Sequence, residues 1–287
     1  MTVDFKNLSV PEAQHYLQHA VAPRPICFAS TINAQGQVNL SPFSFFNVFS
    51  SNPPIVVFSP SRSGRKNTLK DSYINITEVP EVAISIVDYD MVHQMSLSSC
   101  EYAPEVNEFL KAGFTMQPAD QIRPPLVAES KIKLECKVID TKELGKEGGA
   151  GILVIAEVLK MHLDEDILDN TGHINPLKVR QVARLGGDWY VDVKPEYMFL
   201  LPKPAAQLGI GVDELPEKVL QSKIFTGNHR GQLANVSAIP SWNEEFDDPV
   251  FHHSDGTTAY EERIVQLLDM GQLTEAWQIV LRWEMKI

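Results

Sequence analysis

The segment SRSGRKNTLKD concentrates positive charge, with Arg62, Arg65, Lys66 and Lys70 falling within nine residues. Ser59, Ser61, Ser63 and Thr68 supply hydroxyls around them, and Gly64 lets the backbone turn tightly. Cations, hydroxyls and backbone N–H donors on one loop are what a phosphate monoester requires. A helical turn beginning at Asn67 to Ser72 would add further free N–H groups. A solvated basic loop has the same composition, and the spacing of a Walker A loop is absent. A second segment, VNLSPFSFFNVFS, interleaves Asn39, Ser41, Ser44 and Asn47 with Phe43, Phe45, Phe46 and Phe49. A flat heteroaromatic with polar edges wants that mixture, with apolar faces to stack on and hydrogen bonds for the rim. An aromatic core strand with polar residues on its other face fits it equally.

The remaining reactive residue types point nowhere so definite. Cys27, Cys100 and Cys136 are far apart and odd in number, which suggests neither a disulfide framework nor a zinc cage, and they read as buried or incidental thiols. His252 and His253 are adjacent in an acidic stretch and read as a solvated loop rather than a metal site. His162, followed by Asp164, Glu165 and Asp166, reads as a strand-end charge run. His173, in TGHINP, is the one histidine offered as a neighbour of a bound ring. There is no nucleophile elbow and no arrangement of a serine or cysteine hydrolase.

These segments sit in a chain that is otherwise acidic: 25 Lys and Arg against 37 Asp and Glu, a net charge of −12. Such a chain repels nucleic acid and anionic membranes, so neither is expected as a partner. Apolar residues make up 44% of the 287, enough for a sizeable core. The N-terminus lacks a secretory pattern and no apolar run reaches membrane-spanning length, so the expected location is cytoplasmic.

The elements that must position the two segments read mainly as strands. A short helical prelude covers residues 11 to 21 and stops before Pro23 and Pro25. Ile26 to Ile32 and the stretch from Val38 form a hairpin around NAQGQ. Ile55 to Ser59 and Val82 to Val87 read as buried strands, and residues 90 to 112 as helical. Lys131 to Thr141 alternates with period two, and Gly151 to Leu163 follows after the loop GKEGGA as its hairpin partner. Strands separated by turn-rich gaps, with few long helices, predict a mainly β fold of barrel type with some helices. The domain boundary is expected near Lys203, giving 1–203 as a barrel domain and 204–287 as an extension. That extension reads as irregular to about residue 255, then as a helical hairpin broken at Gly271. Its apolar faces would be Ile264, Leu267 and Leu268, and Ala276, Ile279 and Val280.

Four blocks, PRPICFAST, NLSPFSFFNVFSSNPPIVVFS, the KNTLKDSYINI run and RLGGDWY, resemble the flavin reductase-like family in order and spacing, over about residues 10 to 200. The resemblance implies an FMN-binding split barrel with FMN held at a homodimer interface. It implies that Asn39, Leu40, Ser41, Ser44, Phe45 and Asn47 hold the ring, through side-chain and main-chain hydrogen bonds. Ser59, Arg62, Lys66, Asn67 and Thr68 would hold the phosphate, with Arg24 and Thr31 beside the cofactor. Arg184 and Tyr190 fall in the family's late motif. Where many members read Lys-Asp-Thr this chain has Lys70, Asp71 and Ser72, which keeps the hydroxyl. The expected activity is that of an NAD(P)H-dependent flavin reductase, passing hydride from NADH or NADPH through FMN to a small-molecule flavin or a redox partner protein. Hydride transfer needs no protein acid or base, so no catalytic residue is assigned beyond His173 as a neighbour of the ring. A flavoredoxin-like carrier reduced by a partner protein, and a non-catalytic flavin-binding module, are the alternatives.

Overall fold

A computed structural model describes residues 1–103, 105–201, 208–253 and 256–285. The chain divides into two compact units, Met1–Met198 and Phe199–Ile287. The boundary read near Lys203 falls on residues outside the described set.

The first unit opens with helix α1 (Val10–Ala20), started by a Ser9–Glu12 capping box. Strands β1 (Arg24–Pro25), β2 (Cys27–Ile32), β3 (Val38–Phe43), β4 (Phe46–Ser51) and β5 (Pro54–Phe58) follow, then helix α2 (Asp71–Glu78) and β6 (Glu81–Ile86). The helical stretch expected at 90 to 112 is two short helices, α3 (Val92–Ser98) and α4 (Glu108–Ala112). After β7 (Met116–Gln117) and β8 (Leu126–Val127) come the two longest strands, β9 (Ile132–Glu143) and β10 (Ile152–Leu163). Helix α5 (Pro176–Val179), β11 (Val182–Arg184) and β12 (Tyr190–Asp192) complete the unit.

Seven strands form one antiparallel sheet in the order β3-β2-β6-β9-β10-β5-β4. Its two edge strands, β3 and β4, are consecutive in the chain, with only Ser44 and Phe45 between them. Laid flat, the edges of seven strands lie about 29 Å apart, six spacings of about 4.8 Å. The three residue steps from Phe43 to Phe46 span at most about 11 Å. The sheet is therefore rolled until its edges approach, and they approach without forming a ladder: a split barrel. The stretch from Val38 to Ser50, which reads as one segment in sequence, is broken to make that closure.

Period two fills the barrel. Cys27 and Ala29, Val82 and Ile84, Leu134, Cys136 and Val138, and Ile152, Val154 and Ala156 point into one core, with Val56 and Phe58. Tyr73 and Ile76 of α2 plug it. The opposite face of β2 and β3 builds a second cluster, in which Phe28 and Leu40 pack with Met91, Met95, Phe109 and Phe114 from the α3–α4 region. That cluster fixes α4 against β3, which matters for the site.

In the second unit the stretch read as irregular contains short helices α6 (Glu217–Gln221), α7 (Gly227–Ala234) and α8 (Val250–His253). The hairpin of α9 (Thr257–Asp269) and α10 (Leu273–Met285) turns at Gly271, whose φ of +74° suits a residue without Cβ. Ile264, Leu267 and Leu268 pack against Ala276, Ile279 and Val280 around Trp277, which is 1% exposed. No described helix is long and apolar enough to cross a membrane.

Candidate functional site

The basic loop leaves β5 at Ser59 and is braced by the tip of the β9–β10 hairpin. Arg62 N–H donates to the Ala150 carbonyl at 2.9 Å, Gly149 N–H to the Arg62 carbonyl at 3.1 Å, and Ile152 N–H to the Pro60 carbonyl at 3.0 Å. The approach leaves little room for a side chain at Gly148 or Gly151 of the hairpin tip. A Cβ on Gly148 would lie 3.1 Å from the Ser63 and Gly64 carbonyl oxygens, and one on Gly151 would lie 2.8 Å from Ser59 Oγ. The loop closes on itself through Ser63 N–H to the Thr68 carbonyl and Asn67 N–H to the Ser63 carbonyl, both 2.9 Å. Asn67 turns the corner at φ +52°, a left-handed conformation that asparagine tolerates. The helical turn expected from Asn67 begins later, since α2 starts at Asp71 with Lys70 as its N-cap.

Beside this loop lies a cleft of about 450 Å³. Ser63, Lys66, Thr68 and Lys70 border it on the loop side, and Asn39 and Ser41 border it from β3. Of the opposite wall, Ser98 to Tyr102, the sequence reading names Cys100 alone, and as an incidental thiol. From that wall Glu101 reaches across the mouth: its carboxylate lies 3.6 Å from Lys70 Nζ and 3.9 Å from Lys66 Nζ. A side-chain carboxylate thus sits where two ammonium groups await an anion. Both pairs are exposed, so each contributes at most about 1 kcal/mol. Glu101→Gln is expected to tighten binding of inorganic phosphate about two- to fivefold in a calorimetric titration, following the roughly 1 kcal/mol of lost competition. Unchanged or weaker phosphate binding would show that Glu101 does not compete for those lysines. Arg62 is engaged elsewhere, with Nη2 3.4 Å from Glu143 and Nη1 donating to the Asn67 carbonyl, while its Nε is buried without a partner.

The floor of the cleft is a buried polar network. Asn39, 8% exposed, donates from Nδ2 to Glu108 Oε1 at 3.0 Å, and its Oδ1 accepts from Ser72 Oγ at 2.8 Å. Leu40 N–H donates to Glu108 Oε2 at 3.0 Å. Burial pushes the Glu108 carboxyl above its ordinary range and nearby Asp71 adds to the shift, while the donors on Leu40 and Asn39 oppose it. Ser72, the residue standing in for threonine, places its hydroxyl in this network rather than in the cleft. No motif marks Glu108. The only sequence signal is Asn107 before it, a helix N-cap whose Oδ1 accepts from Phe109 N–H at 2.9 Å.

Several residues named from sequence lie away from the cleft. Thr31 is fully buried and accepts from Asn75 Nδ2 at 3.1 Å, so its hydroxyl serves the contact between β2 and α2. The Leu40 side chain is fully buried in the cluster beneath β3, which leaves it no side-chain face toward the cleft. Arg24 is a clamp: Nη1 donates to the Gln18 and Val21 carbonyls at 2.6 Å and Nη2 to the Leu185 carbonyl at 2.9 Å. Ser59 N–H donates to the Phe45 carbonyl at 2.8 Å, which ties the barrel split to the start of the basic loop. Ser44 and Phe45 form that split, and Asn47 is exposed on β4 with Oδ1 accepting its neighbour Val48 N–H. Phe45, Val48 and Phe49 leave large apolar surface exposed on this edge strand.

His173 sits exposed in a tight turn, its Nδ1 2.7 Å from Thr171 Oγ1, with Asp169 held at about 2 by the hydroxyl and N–H donors of Thr171 and His173. It does not meet the cleft. Arg184 bonds Tyr190 across β11 and β12. His162 meets Glu135, fully buried under the loop at 120–121, at 2.6 Å, and not the acidic run after it. Asp120 completes this trio and already carries the Lys160 ammonium, so these groups are engaged with one another as a latch. His252 Nε2 lies 2.6 Å from Asp247 in the second unit, and the side chain of His253 lies outside the described set. Cys27 and Cys136 are buried in the barrel, where burial pushes the Cys136 thiol up to about 12, whereas Cys100 is exposed on the cleft wall.

Comparison with known proteins agrees with this architecture. The family model described as "Flavin reductase like domain" matches residues 19–178. An uncharacterized protein of Aquifex aeolicus is 36% identical over 171 residues, which is 60% of this chain and 85% of that protein. Nitrilotriacetate monooxygenase component B from Bacillus cereus superposes with a TM-score of 0.65 at 24% identity, covering 69% of this chain and 98% of its own. The flavoredoxin of Desulfovibrio vulgaris (Miyazaki F) superposes at 0.55 with 21% identity, covering 72% of this chain and 99% of its own. At those identities the structures speak for the fold. The family model spans all the strands of the seven-stranded sheet.

Proposed function

The chain belongs to the flavin reductase-like family, and from that premise we propose that it binds FMN in the cleft beside the basic loop and is an NAD(P)H-dependent flavin reductase. The observation that carries the reading is the placement of Lys66, Lys70, Thr68 and Ser63 on one side of the cleft that Asn39 and Ser41 floor. The donor set fits a phosphate-bearing ring. Two ammonium groups that share one exposed carboxylate among the described residues are cationic capacity in a chain of net charge −12. The volume lies within the range of pockets that hold cofactors.

Lys66 and Lys70 neutralise the phosphate, Thr68 and Ser63 donate to its oxygens, and the hairpin tip keeps their loop in shape. Asn39 and Ser41 hydrogen-bond the ring's polar edge. FMN, when bound, supplies the hydride chemistry. The protein orients the ring and keeps part of its surface dry. Exposed Phe45, Val48 and Phe49 on the edge strand suit a second copy of the chain, which would bring the cofactor to a homodimer interface. NADH or NADPH is the donor in this reading, and a small-molecule flavin or a redox partner protein the acceptor. His173, exposed and not among the residues that line the cleft, has no role in this reading. The second unit, together with its boundary near residue 200, is an extension to the flavin domain. A carrier reduced by a partner protein is the second reading, favoured by the similarity to a flavoredoxin fold.

An anaerobic absorption titration tests both. Flavin bands that bleach on addition of NADH or NADPH are expected. Bands that persist with either donor would replace the reductase by the carrier, and a protein that neither contains nor takes up flavin would end the proposal.

A further inference from the structure

Asn39 is an unusual floor residue, because its partners together fix which way its amide faces. Its Oδ1 accepts from Ser72 Oγ at 2.8 Å, and Ser41 Oγ lies 3.5 Å from the same oxygen. Its Nδ2 carries two hydrogens, and Glu108 takes one of them. The two ends of an amide are alike in shape, so a network has to choose between them. Here Glu108 chooses. A carboxylate only accepts, and this one also accepts from Leu40 N–H on the same strand. A flipped Asn39 would set its carbonyl oxygen against that carboxylate and leave Oε1 of a buried acid without a donor.

Glu108 is itself 7% exposed and held from two sides. It opens α4 behind the Asn107 cap, and Phe109, the next residue, is fully buried in the cluster under β3. Both Asn39 and Glu108 border the cleft.

Resting on the flavin-cleft reading above, we infer that Glu108 is a positioning residue that locks Asn39 with its amide N–H, and not its carbonyl, presented to the cleft, so that the floor recognises an acceptor atom on the ring's polar edge. The lock sits 69 residues from the amide it sets and makes the ring site selective independently of the phosphate loop. A donor at that edge also favours the ring's more electron-rich, reduced form.

The test exchanges the two groups, in a variant carrying Asn39→Asp together with Glu108→Gln. The amide introduced on α4 donates to the carboxylate introduced on β3 and still accepts from Leu40 N–H. Ser72 keeps its acceptor, and the net charge is unchanged. The buried network is satisfied, but the floor loses its donor. Riboflavin, which lacks the phosphate, is the probe. The wild-type protein should bind it, and the exchanged protein should melt within a few degrees of wild type yet bind it at least about tenfold more weakly, the loss of one well-made hydrogen bond. The absorption maximum of the residual bound flavin should shift. Exchanged protein that binds riboflavin with wild-type affinity and spectrum overturns the inference and leaves the flavin cleft standing. Wild-type protein that binds no flavin removes both. If the exchanged protein does not fold, Glu108→Gln alone decides: a shifted spectrum with weaker binding supports the lock, and unchanged values overturn it.

Discussion

Replacing Lys66 and Lys70 together by alanine is expected to weaken FMN binding about a hundredfold while changing riboflavin binding less than about twofold. Hydrogen bonds to charged groups contribute about 1.5–3 kcal/mol each, and the lower figure suits side chains 70% and 40% exposed. Two such losses give about 3 kcal/mol, or about two decades in affinity. Glu101, relieved of both partners, would add repulsion. The effect should shrink as ionic strength rises, because the cations act from the surface. Arg62→Ala provides the contrast: its guanidinium braces Glu143 and the Asn67 carbonyl, so its loss should disturb the loop for FMN and phosphate alike. A fluorescence titration with FMN and riboflavin checks the double-lysine expectation. Equal losses for both flavins in the double-lysine variant would place the phosphate elsewhere.

Trp277→Ala should strongly destabilise the second unit. The side chain is 1% exposed at the centre of that unit's core, and its Nε1 donates to the Leu233 carbonyl at 3.1 Å. Truncating a buried tryptophan costs about 3–5 kcal/mol. A unit of this size has roughly 4–13 kcal/mol to lose. Its calorimetric transition should fall by at least about 12 °C. The barrel has a core of its own, so flavin binding should survive the change. A variant that loses flavin affinity in step with the second unit's transition would show that the two cores are coupled.

The sequence spoke clearly where one physical signal dominates locally. Period two in IKLECKVIDT announced β9 because its even positions fill the barrel, and the apolar run IVVF announced β5. The charge contrast of the basic loop located one wall of the cleft, because cations are conspicuous in an acidic chain. It was silent where a role depends on who lies opposite. Glu108 is one glutamate among many until α4 docks on β3. Ser98 to Tyr102 becomes a wall only by that same docking. Thr31 and Arg24 carry groups that could serve a ligand, but Asn75 and the carbonyls of Gln18, Val21 and Leu185 take them first. Hydrogen-bond supply is a property of the folded neighbourhood, and composition does not report it. The glycines of GKEGGAG read as hairpin chemistry, yet Gly148 and Gly151 are also small so that a second loop can approach.

That bracing has a consequence for the order in which the molecule assembles. The basic loop takes its shape from backbone bonds to residues far later in the chain, Gly149 to Ile152, and the cleft floor waits for α4 to reach β3. Contacts so distant along the chain are closed late and at high entropic cost. Lys66 and Lys70 are therefore expected to stay ordinary solvated cations until the β9–β10 hairpin is in place, which leaves an emerging chain little with which to grip a phosphate. A flavin bound in the cleft would then reward the finished barrel by mass action, stabilising it in proportion to occupancy, and is not expected to serve as a template for building it.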